Sequence, residues 1–286
     1  MSYRIVQSKQ NARLKELRRA LTHPGREGSA GIEGPKLLEE ALSAGLRVPC
    51  VFVAQGAESL LDGLKLAAGT EVLLLPKELL DSALSTETPQ PVAALVEPPA
   101  WSWADIFIDP AKAAPLIVVL AGLQDPGNLG TILRSAEAFG AAGIVSLPGT
   151  VSAWNPKAVR ASAGSLFRLP LVAATSEECF ACLHDAHVKI WTTALDHAKA
   201  AHFVDLTAPV ALLIGNEGNG VPEEIAAQAD GAVTIPCPGP VESLNASVAA
   251  AVLLYEASRQ RAAFTSHPSQ KARRMGHPNS LTSGAR

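Results

Sequence analysis

The run Leu116-Ile117-Val118-Val119-Leu120 leads into Gln124-Asp125-Pro126-Gly127-Asn128-Leu129-Gly130-Thr131-Ile132-Leu133-Arg134, and the junction between them decides the fold. A short, wholly apolar run reads as a strand buried on both faces. Beyond Asp125-Pro126-Gly127, a tight turn by composition, Ile132, Leu133, Ala136 and Phe139 bury one face of a helix. Two later segments repeat this strand-to-helix grammar with polar residues in the turn. They are Gly215-Asn216-Glu217-Gly218-Asn219-Gly220-Val221-Pro222 and Ile235-Pro236-Cys237-Pro238-Gly239-Pro240-Val241-Glu242-Ser243-Leu244-Asn245-Ala246-Ser247. In α/β sheets, ligands bind where such turns leave the carboxyl ends of parallel strands, so three of them imply one composite site.

Working outward, strands are expected at 116–121, 143–147, 169–173, 188–193, 209–214 and 232–235. Helices are expected at 129–139, 156–164, 176–186, 197–201, 222–228 and 244–262. That alternation predicts a parallel sheet with helices on both faces. The first 98 residues predict a smaller α/β unit. Its elements are an amphipathic helix over 9–21 with Leu14, Leu17 and Leu21 on one stripe, a helix over 35–45, and another over 57–67. Strands at 49–54, 71–75 and 91–96 complete it. Residues 99–115, broken by Pro110 and Pro115, predict a linker with one short helix, where Trp101 and Trp103 pack between the domains. The expected order is therefore 1–98, linker 99–115, 116–262, and a disordered basic tail over 263–286.

At 48% hydrophobic and 18% charged residues the chain is that of a packed globular protein. No apolar run is long enough to span a bilayer, and no secretory signal is visible, so a cytoplasmic protein without a membrane partner is expected. The net charge of −3 hides an uneven layout. Residues 1–27 carry seven basic and two acidic side chains, and residues 257–286 carry six basic and none acidic. Phosphate recognition depends on such local patches, which makes Lys9, Arg13, Lys15, Arg18 and Arg19 candidates for gripping nucleic acid. A solvated helix face is the plain alternative.

Each polar turn residue also has an ordinary structural reading. Asn128 could cap the helix that follows, Arg134 could be a surface cation, Glu217 could be solvated, and Ser243 or Asn245 could cap the last helix. The combined pattern resembles the three signature motifs of the SpoU (TrmH-like) RNA 2′-O-methyltransferases of the SPOUT class, in order and with spacing intact from about Leu116 to Glu256. The first motif, D-P-x-N-x-G-x-x-x-R, is matched residue by residue. The resemblance implies a parallel-sheet SPOUT domain whose last helix is threaded into a trefoil knot, and a homodimer with sites built from both subunits. It implies S-adenosylmethionine as cofactor, contacted through the backbone at Gly215, Ile235 and Leu244. It further implies catalytic roles for Asn128, Arg134, Glu217, Ser243 and Asn245, with Ser162 and Gly164 nearby. Cys237 stands where the family usually has Met.

The opening Ser8-Lys9-Gln10-Asn11 and the segment Ile32-Glu33-Gly34-Pro35-Lys36 resemble the RNA-binding domain found ahead of many SpoU domains, which favours ribosomal over transfer RNA. Two other classes compete. One is a non-catalytic RNA-binding or ribosome-assembly factor on the same scaffold, against which the intact polar motif residues argue. The other is a nicotinamide-dependent oxidoreductase, disfavoured because the glycines at 215–220 read G-x-x-G-x-G, and late in the domain. Cys179, Cys182, His184 and His187 are too closely spaced for one tetrahedral metal site, so no metal is expected.

Overall fold

The computed structural model describes residues 3–23, 28–84, 86–107, 114–240 and 243–265, with side chains described to residue 262. Its first part contains β1 (Arg4–Ile5), α1 (Ala12–Thr22), β2 (Ala30–Glu33), α2 (Pro35–Ser43), β3 (Cys50–Ala54), β4 (Glu71–Leu75), α3 (Lys77–Asp81) and β5 (Val92–Val96). These strands form a mixed sheet in the order β1-β4-β3-β5-β2. β5 runs antiparallel to β3 and β2, while β1, β3 and β4 are parallel.

Then come α4 (Trp103–Phe107), β6 (Leu116–Leu120), α5 (Pro126–Ala138), β7 (Gly143–Ser146), α6 (Pro156–Ser162), β8 (Leu171–Ala173) and α7 (Ser176–Asp185). β9 (Lys189–Thr193), β10 (Lys199–Ala200), β11 (Val210–Ile214), α8 (Glu223–Ala226), β12 (Gly231–Thr234) and α9 (Ala246–Thr265) complete it. The second sheet is wholly parallel, in the order β10-β12-β9-β11-β6-β7-β8. Its central strands β6 and β11 are buried at every position, as their unbroken apolar runs require.

Local chemistry explains most boundaries. α1 starts after Asn11, whose side chain accepts from the Leu14 N–H, and its Leu14 and Leu17 are fully buried. Burial of that kind contributes about 1.5–3 kcal/mol per leucine. α7 begins with a complete capping box, Thr175 with Glu178.

The structure corrects four expectations. The helix expected over 57–67 is one 3-10 turn, Glu58–Leu61, because Gly63 takes a left-handed φ of 83° and turns the chain away. The segment 197–201 holds edge strand β10 and enters a 3-10 turn at Ala201; pairing with β12 decides this, and two residues leave no period to read. Strand β2 went unread because Ala30-Gly31 has little β-propensity. Its place is set by packing instead, since a Cβ on Gly31 would meet Leu21 at 2.8 Å. Finally, Trp101, Trp103 and Phe107 pack against the parallel sheet's own apolar cluster with Ile106, not between the two units.

Between the units runs a shared core. One buried cluster joins Ile32, Leu38 and Val51 of the first unit to Leu116, Leu129, Leu166 and Leu254 of the second. Residues 266–286, most of the expected tail, lie outside the described residues, as do 108–113 of the linker. No described helix is long and apolar enough to cross a membrane.

Candidate active site

The turn after β6 is built by Asp125. Its carboxylate caps α5 by accepting from the Asn128 N–H at 2.8 Å, with Pro126 in the first helical position. Lys157 Nζ donates to the other oxygen at 2.8 Å. That bond, together with the Asn128 N–H, holds the Asp125 carboxyl below its ordinary value. Asn128 is therefore not the cap. Its side chain is released for another partner, and Nδ2 donates to Glu217 Oε1 at 2.9 Å.

Glu217 stands on the turn after β11 and ties the two turns together. Besides Asn128 it accepts from the backbone N–H groups of Asp125 at 3.1 Å and Gln124 at 3.3 Å. Partial burial pushes its carboxyl up, but the Asn128 amide and the backbone donors outweigh this and leave it lowered. Asn216 adds a second tie, donating to the Gly122 carbonyl at 3.1 Å and accepting from the Gly218 N–H at 2.8 Å. Backbone bonds in both directions between Asn216 and Gly220, at 2.8 and 2.9 Å, close the turn on itself. Gly215 is required by that closure: a Cβ there would lie 2.0 Å from the Gly220 carbonyl carbon. The close approach thus comes from the loop's own backbone.

Around these turns lies a cavity of about 900 Å³ at the carboxyl ends of β9, β11 and β12. Gly215, Glu217, Ile235, Ser243 and Leu244 all line it, with Leu195, Ile214 and Leu253 supplying apolar wall. Polar Thr193, Asp196, Thr234 and Ser243 line it beside these aliphatic side chains. That volume and chemistry suit a nucleoside-sized cofactor with polar ends. Cys237, on the same wall, points its Sγ toward the Ile235 carbonyl at 3.4 Å.

Besides Asn128, which reaches the wall only through Glu217, two expected residues stand elsewhere. Asn245 caps α9, its Oδ1 accepting from the Ser247 N–H at 2.9 Å and the Ser247 hydroxyl at 2.7 Å. Arg134, exposed on α5, lines a second cavity of about 540 Å³ with Lys36, Glu40, Glu137 and Arg168. Ser162 is buried and donates to the Val159 carbonyl. Lys157 was missed from the sequence; only its place two residues past the Asn155 cap hinted that it would reach back to Asp125.

The cations of α1 divide. Arg13 is held by Glu16 at 2.8 Å and Glu71 at 3.2 Å, and Arg18 donates to the Ser82 carbonyl at 3.4 Å. Lys9, Lys15 and Arg19 are exposed, and the two lysines make no ion pair among the described residues. Cys179 is buried on α7, where desolvation pushes its thiol to about 12 and disfavours the thiolate a metal would need. Among the described residues no group of three or more His, Cys, Asp or Glu side chains could hold a metal ion.

A parallel-sheet domain whose second and third polar turns line one cavity, with the first turn tied to them through Glu217, behind a smaller mixed-sheet domain, defines the class. Residues 115–255 match the SpoU rRNA Methylase family, and residues 11–94 match the MRM3-like substrate binding domain. The chain belongs to the SpoU rRNA methylase family. It is 32% identical to the 23S rRNA (guanosine(2553)-2'-O)-methyltransferase RlmP of Bacillus subtilis, over 87% of this chain and 97% of that one. Among solved structures, the SpoU methyltransferase AviRb from Streptomyces viridochromogenes in complex with AdoMet superposes with a TM-score of 0.78 at 31% identity, covering 88% and 99% of the two chains. An AdoMet-bound rRNA methyltransferase from Sinorhizobium meliloti also gives 0.78, at 30% identity over 90% and 98%.

Proposed function

We propose that this chain methylates a ribose 2′-hydroxyl of ribosomal RNA with S-adenosylmethionine, as a cytoplasmic homodimer. The observation that carries the reading is the cavity of about 900 Å³ lined by the second and third turns, with Glu217 tying it to Asn128. S-adenosylmethionine, when bound, supplies a methyl group already activated on a sulfonium.

The protein's own work is alignment and charge. The backbone at Gly215, Ile235 and Leu244 contacts the cofactor, beside the apolar wall of Leu195, Ile214 and Leu253. Asn128 spends its amide N–H on Glu217, which leaves Oδ1 to accept a hydrogen bond from the acceptor hydroxyl. Glu217 thereby fixes the orientation of Asn128 while keeping the two turns in register. Arg134 acts as a cation, binding an RNA phosphate and stabilising the developing alkoxide. The hydroxyl proton leaves to water or a neighbouring group as the oxygen–methyl bond forms. Ser243 lies on the cavity wall toward the reacting centre, and Asn245 sets the start of α9 beneath it.

Arg134 and the cofactor cavity are separate within one chain, and a second copy is proposed to join them. Val248, Val252 and Tyr255 make an exposed apolar stripe along α9, at 48%, 39% and 55% exposure, and Tyr255 packs edge-on against Phe139, the C-cap of α5. A contiguous apolar stripe of this kind marks an interaction face. Pairing along α5 and α9 brings one subunit's Arg134 toward the other's cavity. The threaded C-terminal knot, residues 1–98 as the RNA-binding domain, and the grip of Lys9, Lys15 and Arg19 on RNA belong to the same reading.

Calorimetry with S-adenosylmethionine and with NAD provides the first test. Binding of NAD alone would sink the methyltransferase reading. Mapping ribose methylation in total RNA from a deletion strain against its parent names the nucleotide, and an unchanged ribosomal RNA map would overturn the choice of substrate.

A further inference from the structure

One charged cluster takes no part in that chemistry. Arg168 follows the 3-10 turn Ser165–Phe167 and spans the two units. Its Nε and Nη2 donate to the two carboxylate oxygens of Glu137 on α5, at 2.6 and 3.0 Å. The remaining arm, Nη1, donates to Glu40 Oε2 on α2 at 2.6 Å. A planar guanidinium forked onto one carboxylate is the strongest of the charged pairings, and it is directional. Arg168 lowers both carboxyls from their ordinary values and is itself raised by Glu137 and Glu40.

The backbone is shaped for this contact. Ala163 and Gly164 are both left-handed, at φ 48° and 90°, and the first is an uncommon conformation for a residue with a Cβ. A Cβ on Gly164 would meet Glu40 Cβ at 2.8 Å, so the turn seats Glu40 directly beneath it.

Glu137 lies three residues beyond Arg134 on the same helix, the spacing at which Arg and Glu pair. Yet Arg134 makes no hydrogen bond or ion pair among the described residues, while both Glu137 oxygens are committed to Arg168. Both side chains line the 540 Å³ cavity, with Lys36 beside them.

We propose that Arg168 is a positioning residue for Arg134: by holding Glu137 and Glu40, it denies Arg134 its helical partner, leaves that guanidinium available to RNA, and fixes α2 against α5. This rests on the assignment of Arg134 to the RNA. In the full-length enzyme, Arg168→Ala lets Glu137 capture Arg134 and lowers kcat/KM for RNA by about tenfold, a coupling usual for contacting charges. S-adenosylmethionine affinity by calorimetry stays at the wild-type value. Adding Glu137→Gln restores most of the loss, because a neutral amide no longer competes; simple loosening of the fold would not be repaired this way. A double variant as poor as Arg168→Ala, or Arg168→Ala at wild-type kcat/KM, overturns the proposal. Should Arg168→Ala lose cofactor binding, Arg168→Lys carries the test. Its single ammonium holds one carboxylate less well, so a smaller loss is expected, again repaired by Glu137→Gln, and no repair counts against the idea. Arg134→Ala run alongside separates the two layers. Full turnover without Arg134 removes the underlying assignment, whereas an inactive Arg134→Ala beside an unaffected Arg168→Ala removes only the role of Arg168.

Discussion

The two sheets solve different problems with different parts of the chain. Around the parallel sheet, the cavity wall is shaped by main chain: glycines let the 215–220 turn fold tightly, and Glu217 and Asn216 lock it to the turn after β6. On the mixed sheet, charged side chains on α1 and α2 dominate, and several are already paired with carboxylates. A backbone site is unforgiving of added atoms and indifferent to salt. A side-chain site tolerates substitution and responds to ionic strength. That difference predicts opposite behaviours in the two halves of one enzyme.

The sharpest break concerns Arg134, which lines the cavity where the two units meet. Arg134→Ala should cost about 10²–10³-fold in turnover, the range seen when a donor to a developing oxyanion is removed. Arg134→Lys should keep measurable turnover; a loss as steep as alanine's would show that more than charge is needed. On the backbone side, Gly215→Ala forces a Cβ to within 2.0 Å of the Gly220 carbonyl carbon, so the turn must move. Cofactor affinity measured by calorimetry should fall at least tenfold, and wild-type affinity would mean that the turn is not part of the cavity wall in solution.

Milder effects are expected on α1. Replacing Lys9 and Lys15 by Gln should weaken RNA binding and flatten its salt dependence by roughly 1.4–1.8 in slope, the counterion release of two phosphate contacts. Cofactor affinity should not change, and an unaltered salt slope would exclude these lysines from the interface. Substitution is a cleaner probe than removing residues 1–98, because the buried cluster joining Ile32 and Leu38 to Leu129 and Leu254 would be torn open by truncation.

The smallest effect is on stability against pH. Asp125, Glu217, Glu137 and Glu40 all have carboxyls lowered in the folded protein. Their contribution is therefore complete above the ordinary carboxylate range and is lost as pH falls through their lowered values. Chemical-denaturation midpoints should decline below about pH 4, where unfolded carboxylates begin to take up protons. Glu137→Gln should make that decline shallower, and an identical profile would show that the Arg168 pair adds nothing to the fold.

What the sequence determined by itself was whatever depends on local period and local chemistry. The unbroken apolar runs at Leu116 and Val210 required strands buried on both faces, and the leucine stripe of α1 required a one-sided helix. The polar turns between strands and helices marked the cavity that Gly215, Ile235, Ser243 and Leu244 come to line. Tertiary structure decided what depends on partners distant along the chain. Only the approach of the second turn to the first shows that Asp125 caps α5 while Asn128 turns to Glu217, 89 residues away. Only the meeting of the two units brings Glu40 to Arg168, 128 residues apart. Cap preference is a short-range property, and by it Asn128 reads as the cap of a helix starting at Leu129. The helix instead starts at Pro126 with Asp125 as its cap, and Asn128 is drawn to a carboxylate that the sequence could not place.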